Sequence, residues 1–267
     1  MIGIRVAPNA DRVLIAAPTR GGKTTLIRYI VSCLQPVRVV LIDPKEAPEL
    51  ADIPNIVHDT NDLPEALREP VCHWVPSDME DWQDVCTGYR HIWALHKHGP
   101  RVIWDDEVAD TTKPNRVAPA CAMLIRRGSG WRQAYIAATQ RLAEAHPLVR
   151  TQCKHIIAMT PAPTDLDLDA LARHIQMNPR ELREALNSLH EQAGPYSHLW
   201  FCEDDRELPY RRMAACPPPP YDWPRRSTTV KNTQPESTVE IDDQDTPSSD
   251  DNGTTALEDG VPESPPR

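Results

Sequence analysis

Short apolar runs alternate with segments of helical spacing between residues 12 and 159. The runs have the length of buried strands and cover Arg12–Ala17, Val37–Ile42, Val71–Val75, Arg101–Trp104, Gln133–Ala138 and His155–Met159. The segments whose apolar residues recur every three to four positions cover Lys23–Leu34, Asp81–His96 and Asn115–Arg127. Strands that alternate with helices in this way predict an α/β fold, with a mostly parallel sheet and helices on both of its faces.

The pattern changes after residue 164. Two short helices are predicted over 165–175 and 179–190, and Asn178 followed by Pro179 is typical of a helix start. Two further apolar runs, Tyr196–Cys202 and Leu208–Met213, flank a group of charged residues. They predict a β-hairpin that closes the domain.

Composition divides the chain near residue 216. Ten of the 28 prolines lie in 217–267, and the eleven acidic and four basic residues there account for −7 of the formal net charge of −10. A segment so rich in Ser, Thr, Asp, Glu and Pro buries too little apolar surface to offset chain entropy. We predict a folded domain over 1–216 and a disordered acidic tail over 217–267. The tail is either a solubilising segment or a docking site for a protein partner.

Several classes of protein are excluded by what the sequence lacks. No apolar run has the roughly 18 residues of a membrane-spanning helix. The first residues lack the basic head and apolar stretch of a signal peptide. The seven cysteines are scattered and form no CxxC pair, which argues against a disulfide scaffold and a zinc ribbon. We expect a cytoplasmic protein with no membrane span.

The loop between the first strand and the first helix matches the phosphate-binding P-loop (Walker A) pattern, with Ala in the place of the first glycine. Backbone N–H groups of such a loop surround phosphates, and the helix N-terminus adds a positive dipole. Lys23 would reach the β- and γ-phosphates, and the Thr24 hydroxyl would bind Mg²⁺. The predicted ligands are ATP and Mg²⁺. The predicted nucleotide-binding residues are Ala17, Pro18, Thr19, Arg20, Gly21, Gly22, Lys23, Thr24 and Thr25.

Three carboxylates, Asp105, Asp106 and Glu107, follow the strand at Arg101–Trp104. In a P-loop ATPase this position lies beside the P-loop strand, where one carboxylate holds Mg²⁺ and the next activates the attacking water. We assign Asp106 to Mg²⁺ and Glu107 to the role of general base. The alternative shifts the register by one residue, with Asp105 at the metal and Asp106 at the water.

Further polar residues follow or precede the strand at Gln133–Ala138. Gln140 comes after its carboxyl end, from which an amide can contact the γ-phosphate or the attacking water. Arg126, Arg127 and Arg132 lie around a Gly-Ser-Gly turn before the strand. Arg126 or Arg127 could complete the active site of a neighbouring subunit, or the arginines, with Arg141, could contact DNA phosphates.

The order of these motifs resembles the FtsK–HerA class of ring-forming RecA-like ATPases, in particular viral genome-packaging ATPases and conjugation coupling ATPases. The resemblance covers about residues 12–159, and Asp43-Pro44-Lys45 after the second strand is its most discriminating element. Asp105 takes a place that is usually apolar, and Ser129 stands where some relatives carry an arginine.

The resemblance implies a RecA-like P-loop NTPase fold and ATP hydrolysis coupled to translocation of double-stranded DNA through a homo-oligomeric ring, a hexamer in this class. The short chain favours a viral packaging motor, which would work in the host cytoplasm and transiently at the capsid vertex. A conjugation or partition-type coupling ATPase and a nucleotide-dependent switch protein without sustained DNA pumping are the alternatives.

Overall fold

The computed structural model describes residues 11–34, 38–95, 100–161, 163–203 and 210–216. Nine strands and eight α-helices are defined within these ranges. The strands are β1 (Arg12–Ala16), β2 (Val39–Ile42), β3 (Ile56–Val57), β4 (Val71–Trp74), β5 (Arg101–Asp105), β6 (Gln133–Thr139), β7 (His155–Met159), β8 (His198–Cys202) and β9 (Arg211–Met213). The helices are α1 (Lys23–Leu34), α2 (Leu63–Ala66), α3 (Trp82–Ala94), α4 (Val108–Thr111), α5 (Pro119–Arg127), α6 (Pro147–Gln152), α7 (Asp165–His174) and α8 (Pro179–Ala193).

All nine strands belong to one sheet, in the order β3-β4-β2-β5-β6-β1-β7-β8-β9. Every pairing from β3 to β7 in this order is parallel, and β8 and β9 add to the edge in antiparallel fashion. The mostly parallel sheet and the closing hairpin are as predicted. The expectation that the acidic strand lies directly beside the P-loop strand was wrong, because β6 pairs with both β5 and β1.

Alternate side chains of the central strands enter two separate cores, one on each face of the sheet. Val13 and Ile15 of β1 pack with the apolar side of α1. Leu14 and Ala16 point to the other face, where they pack with residues of α3, α5 and α8. Burial of such a side chain contributes about 1.5–3 kcal/mol. The prediction of helices on both faces is therefore confirmed.

Element boundaries differ most where proline intervenes. The helix predicted from Asn115 begins instead at Pro119, because proline lacks the N–H that an inner helical position needs and suits the first turn. Asn178 caps α8 as predicted, and its side chain accepts a hydrogen bond from the Arg180 N–H. The sequence pattern missed β3, α2, α4 and α6, which have between two and six residues. Val37, His96, Leu208 and the predicted tail over 217–267 lie outside the described residues.

None of the helices found in the described ranges is both long and apolar enough to cross a membrane.

Candidate nucleotide-binding site

The loop from Ala17 to Gly22 connects β1 to α1 at the carboxyl edge of the sheet. Gly22 has φ +83°, in the left-handed region where a side chain is strained. A Cβ atom on Gly21 would lie 2.8 Å from the carbonyl oxygen of Pro18, to which the Gly21 N–H donates a 3.0 Å hydrogen bond. The tight turn therefore depends on glycine at both positions, and it leads directly into the N-terminus of α1.

Lys23, the first residue of α1, is 9% exposed. Its side-chain amine forms no hydrogen bond or ion pair with any residue that the structure describes. Burial lowers the pKa of its amine, and the negative charges of Glu107 and Asp106 nearby oppose that shift. A buried amine without a direct partner favours an anionic ligand, which fits the phosphates of a nucleotide. Thr24 is half-buried and Thr25 is exposed in the same helical turn.

A cavity of about 480 Å³ lies along this loop. Its size falls within the usual range for small-molecule sites, about 300–1,000 Å³. The wall combines the P-loop and the first turn of α1 with residues of four other segments. The lining residues are Arg20, Gly21, Gly22, Lys23, Thr24, Thr25, Leu26, Glu49, Met159, Tyr196 and Cys216.

Asp106 lies just beyond the end of β5, on the side of the sheet that α1 covers. Its carboxylate accepts a 3.1 Å hydrogen bond from the indole N–H of Trp104, and its own N–H donates to the carbonyl of Ile42 at 3.0 Å. Burial raises the pKa of Asp106 to about 7, and the nearby Asp43 adds to this rise while Lys23 opposes it. The carboxylate is thus short of positive charge, which a bound divalent cation would supply.

In the described ranges, no three or more His, Cys, Asp or Glu side chains are grouped to hold a metal ion. Mg²⁺ is usually held by one or two carboxylates together with the phosphates of a substrate. Asp106 and Thr24 therefore fit Mg²⁺ as part of a nucleotide complex.

Asp105 points to the opposite face of the sheet, because successive side chains of a strand alternate. Its Oδ2 atom accepts hydrogen bonds from the hydroxyl groups of Tyr89, Thr111 and Tyr135 at 2.7–2.8 Å. Burial raises the pKa of Asp105 to about 6, although the three donors counteract this. The carboxylate is enclosed in the core beneath α3, on the other face of the sheet from Asp106.

Glu107 is 1% exposed, and its carboxylate is surrounded by donors from two segments, the end of β6 and the turn after β2. The Thr139 hydroxyl at the end of β6 donates to Oε1, and the Gln140 N–H lies 3.1 Å from Oε1 and 3.3 Å from Oε2. Lys45 Nζ lies 3.1 Å from Oε2 and 3.4 Å from a carboxylate oxygen of Asp110. The insertion of β6 between β5 and β1 brings Thr139 and Gln140 to this carboxylate.

Gln140 connects the Glu107 carboxylate with the P-loop, because its backbone contacts the first and its side chain the second. While its backbone N–H contacts Glu107, its Oε1 accepts a short hydrogen bond from the Thr19 hydroxyl. Thr19 and Arg20 are exposed on the P-loop, where a phosphate would approach. Gln140 is thus in the right place to transmit a change at the P-loop to Glu107.

Arg126 and Arg127 lie away from the other predicted site residues. Both are exposed at the C-terminal end of α5, just before the start of β6. The strand β6 then runs to Thr139 at the site. It has seven residues, and each advances the chain by about 3.3 Å. The two arginines are therefore at the opposite edge of the sheet from this chain's own P-loop.

Asp43 and Lys45 entered the sequence prediction only as part of the resemblance, and the sequence patterns gave no role to Thr139 or Tyr196. Asp43 is fully buried and accepts hydrogen bonds from the N–H groups of Lys45 and Ala47, at 3.2 and 2.9 Å. These bonds shape the turn that carries Lys45 to Glu107. The position of Asp43 and Lys45 after a buried strand was a usable signal. Tyr196 had none, because it reaches Gly22 from a distant part of the chain.

Solved structures with the same fold include two viral complexes and a bacterial protein. The genome packaging NTPase B204 from Sulfolobus turreted icosahedral virus 2, in complex with sulfate, has a TM-score of 0.61 at 17% identity over 78% of this chain and 98% of that one. Its complex with ATP-gammaS has a TM-score of 0.59 at 17% identity over 79% and 99%. VirB4 of Thermoanaerobacter pseudethanolicus has a TM-score of 0.52 at 11% identity over 78% and 90%.

No protein-family model matches the chain, and no curated protein matches it either. At identities of 11–17%, these structural similarities establish the fold alone. The parallel sheet and the loop before α1 indicate the same fold as the similar structures do. The chain therefore has a P-loop NTPase fold that resembles a compact viral genome-packaging ATPase, as the motifs in its sequence predicted.

Proposed function

We propose that the chain is an ATPase that translocates double-stranded DNA, as a viral genome-packaging motor of the FtsK–HerA type. The observation that carries the proposal is the meeting of Lys23, Asp106 and Glu107 at the carboxyl edge of the sheet, with Gln140 joining Glu107 to the P-loop. Structural similarity to the B204 packaging NTPase and to VirB4 supports this type of ATPase.

The site residues divide the work of hydrolysis. The loop Ala17–Gly22, with the N–H groups of Lys23, Thr24 and Thr25, surrounds the phosphates of ATP. Thr24 and Asp106 hold Mg²⁺, which neutralises charge on the phosphates when it is bound. Glu107 orients and deprotonates the attacking water, and Gln140 senses the γ-phosphate.

Glu107 needs a free oxygen to act as a base. Lys45 Nζ contacts one of its oxygens at 3.1 Å, and Asp110 lies 3.4 Å from the same amine. Lys45 is 41% exposed, so its side chain has room to move. A small shift of the Lys45 amine towards Asp110 would free the Glu107 oxygen. This shift is part of the proposed catalytic cycle.

Translocation of DNA by this ATPase requires several copies of the chain. Arg126 or Arg127 acts in the site of a neighbouring subunit of a homo-oligomeric ring, a hexamer by analogy with the class. The exposed Arg126 and Arg127, together with Arg132, offer an alternative contact for DNA phosphates. The acidic segment over 217–267 either keeps the chain soluble or docks a protein partner, and the motor acts in the host cytoplasm.

The test is steady-state ATP hydrolysis by the full chain, with and without long duplex DNA. Wild type should be stimulated by DNA, whereas Glu107→Gln should lose at least about 100-fold in kcat and still bind ATP, because the amide keeps the shape of the side chain but cannot accept the proton. Glu144→Gln is the matched control, since Glu144 is exposed and its carboxylate pairs with Arg141.

Three outcomes separate the proposal from its rivals. ATP binding with slow hydrolysis that DNA does not change would contradict the motor and favour a nucleotide-dependent switch. DNA stimulation without processive movement along long duplex would favour a coupling ATPase. Loss of activity in Asp105→Asn, with full activity in Glu107→Gln, would transfer the catalytic roles to the earlier register.

A further inference from the structure

One wall of the cavity beside the P-loop is apolar rather than phosphate-binding. It is formed by Leu26 of α1, Met159 at the end of β7 and the ring of Tyr196. Leu26 and Met159 are 2% and 1% exposed, but Tyr196 is 48% exposed. A large aromatic ring is thus half in solvent within a cavity whose other wall is built for anions.

The ring of Tyr196 lies directly against the P-loop. A Cβ atom on Gly22 would be 2.7 Å from Cδ1 of Tyr196, so the ring occupies the space that any side chain at residue 22 would take. Gly22 therefore serves two purposes, since it allows the left-handed turn and the close approach of the ring. A ligand held by the loop would therefore lie close to this ring.

The backbone holds Tyr196 in this position at a conformational cost. Its φ of +68° lies in the left-handed region, which is unfavourable for a residue with a side chain. Hydrogen bonds on both sides of it fix the turn. The Ser197 hydroxyl donates to the carbonyl of Gly194 at 2.7 Å, and the Thr160 N–H donates to the carbonyl of Ser197 at 2.9 Å. A strained residue that its surroundings hold in place is a candidate for a functional role.

We propose that Tyr196 is the base-binding residue of the site, with the aromatic base of a nucleoside triphosphate stacked on the exposed face of its ring. This inference rests on the proposed nucleotide-binding function. Because the ring touches Gly22, a base stacked on it would lie beside the phosphate-binding turn. Stacking is available to every nucleobase, so Tyr196 adds affinity for nucleotides over inorganic phosphates.

The experiment compares two ligands that share their phosphates but differ in the base. Calorimetric titration of the full chain with Mg²⁺ measures the Kd for ATP and for inorganic tripolyphosphate. Tyr196→Ala should weaken ATP binding about tenfold or more and leave tripolyphosphate binding within about twofold. Tyr196→Phe should preserve both, since stacking needs the ring and not the hydroxyl.

Two further variants keep the result interpretable. Tyr196→Leu maintains bulk against Gly22 without an aromatic face, so it should also lose affinity for ATP alone. Trp131→Ala is the matched control, because Trp131 is an aromatic side chain of similar exposure, 42%, just before β6 at the opposite edge of the sheet.

The outcomes separate this inference from the proposed function. Equal weakening of both ligands would show that the ring only supports the P-loop, and unchanged ATP binding would show that the base lies elsewhere; either overturns the inference. Wild type that binds tripolyphosphate as tightly as ATP also overturns it, while the phosphate site stands. Wild type that binds neither ligand overturns both proposals.

Discussion

Asp106→Asn should stabilise the protein in the absence of nucleotide, although it removes a residue assigned to Mg²⁺. The carboxylate of Asp106 is 9% exposed and lies near Asp43 and Glu107, with only Lys23 and the Trp104 indole to offset its charge. Asparagine fills the same space and retains an oxygen for the indole N–H. It removes the charge that burial penalises.

The magnitude follows from the pKa of Asp106, which burial raises from 3.8 to about 7. A carboxyl that binds its proton more tightly in the folded state contributes stability below its unfolded pKa, and this stability is lost as the pH rises through the folded pKa. At about 1.36 kcal/mol per pKa unit, the wild type loses about 1.5 kcal/mol by pH 5 and up to about 4 kcal/mol by pH 8. Asparagine does not titrate, so the advantage of the variant grows over this range.

The assay is urea denaturation of both proteins at pH 5 and pH 8, with a chelator present and nucleotide absent. Asp105, whose pKa burial raises to about 6, titrates in the same window but is present in both proteins, so the difference isolates residue 106. Glu144→Gln removes an exposed ion pair and should change the free energy of unfolding by less than about 0.5 kcal/mol.

A variant that is no more stable than wild type at pH 8 would refute this reasoning, as would a gain of equal size at both pH values. Addition of Mg²⁺ and ATP provides an independent check. The ligands should stabilise wild type by mass action and stabilise the variant less, because the assigned metal ligand is gone.

Two further changes probe the core and the general base. Gly88→Ala should lower the free energy of unfolding by about 1–3 kcal/mol in urea denaturation, because its Cβ would lie 2.1 Å from the Trp74 ring; unchanged stability would contradict this. Thr139→Val should lower kcat about tenfold in steady-state assays with little change in KM, because Glu107 loses a hydroxyl donor that orients it. A raised KM at constant kcat would instead assign Thr139 to substrate binding.

Local signals in the sequence were sufficient for most of the fold. Buried strands such as β1 and β7 are continuous apolar runs, which is typical of a parallel sheet covered on both faces. The P-loop is also local, since its glycines, Lys23 and Thr24 are consecutive. The strand β3 has two residues and is too short to show any periodicity, and it forms because it pairs with β4.

The sequence could not decide which carboxylate faces the nucleotide. Alternation along β5 requires that Asp105 and Asp106 point to opposite faces, but the pattern of apolar residues is similar on both faces of a buried strand. Tyr89 and Tyr135, whose hydroxyl groups enclose Asp105, come from other elements. Lys45 likewise meets Glu107 across 62 positions, a contact that only strand order determines.

The positions of Arg126 and Arg127 constrain how copies of the chain would assemble. These arginines lie near the amino end of β6, whereas the P-loop lies at the carboxyl ends of the parallel strands. If either arginine acts on a nucleotide, two copies must meet with the amino edge of one facing the carboxyl edge of the next. A head-to-tail arrangement repeats that contact at every interface, and it forms a ring where the rotation between copies closes. The separation of the arginines from their own P-loop therefore fits the proposed ring, in which each site would receive an arginine from a neighbouring copy.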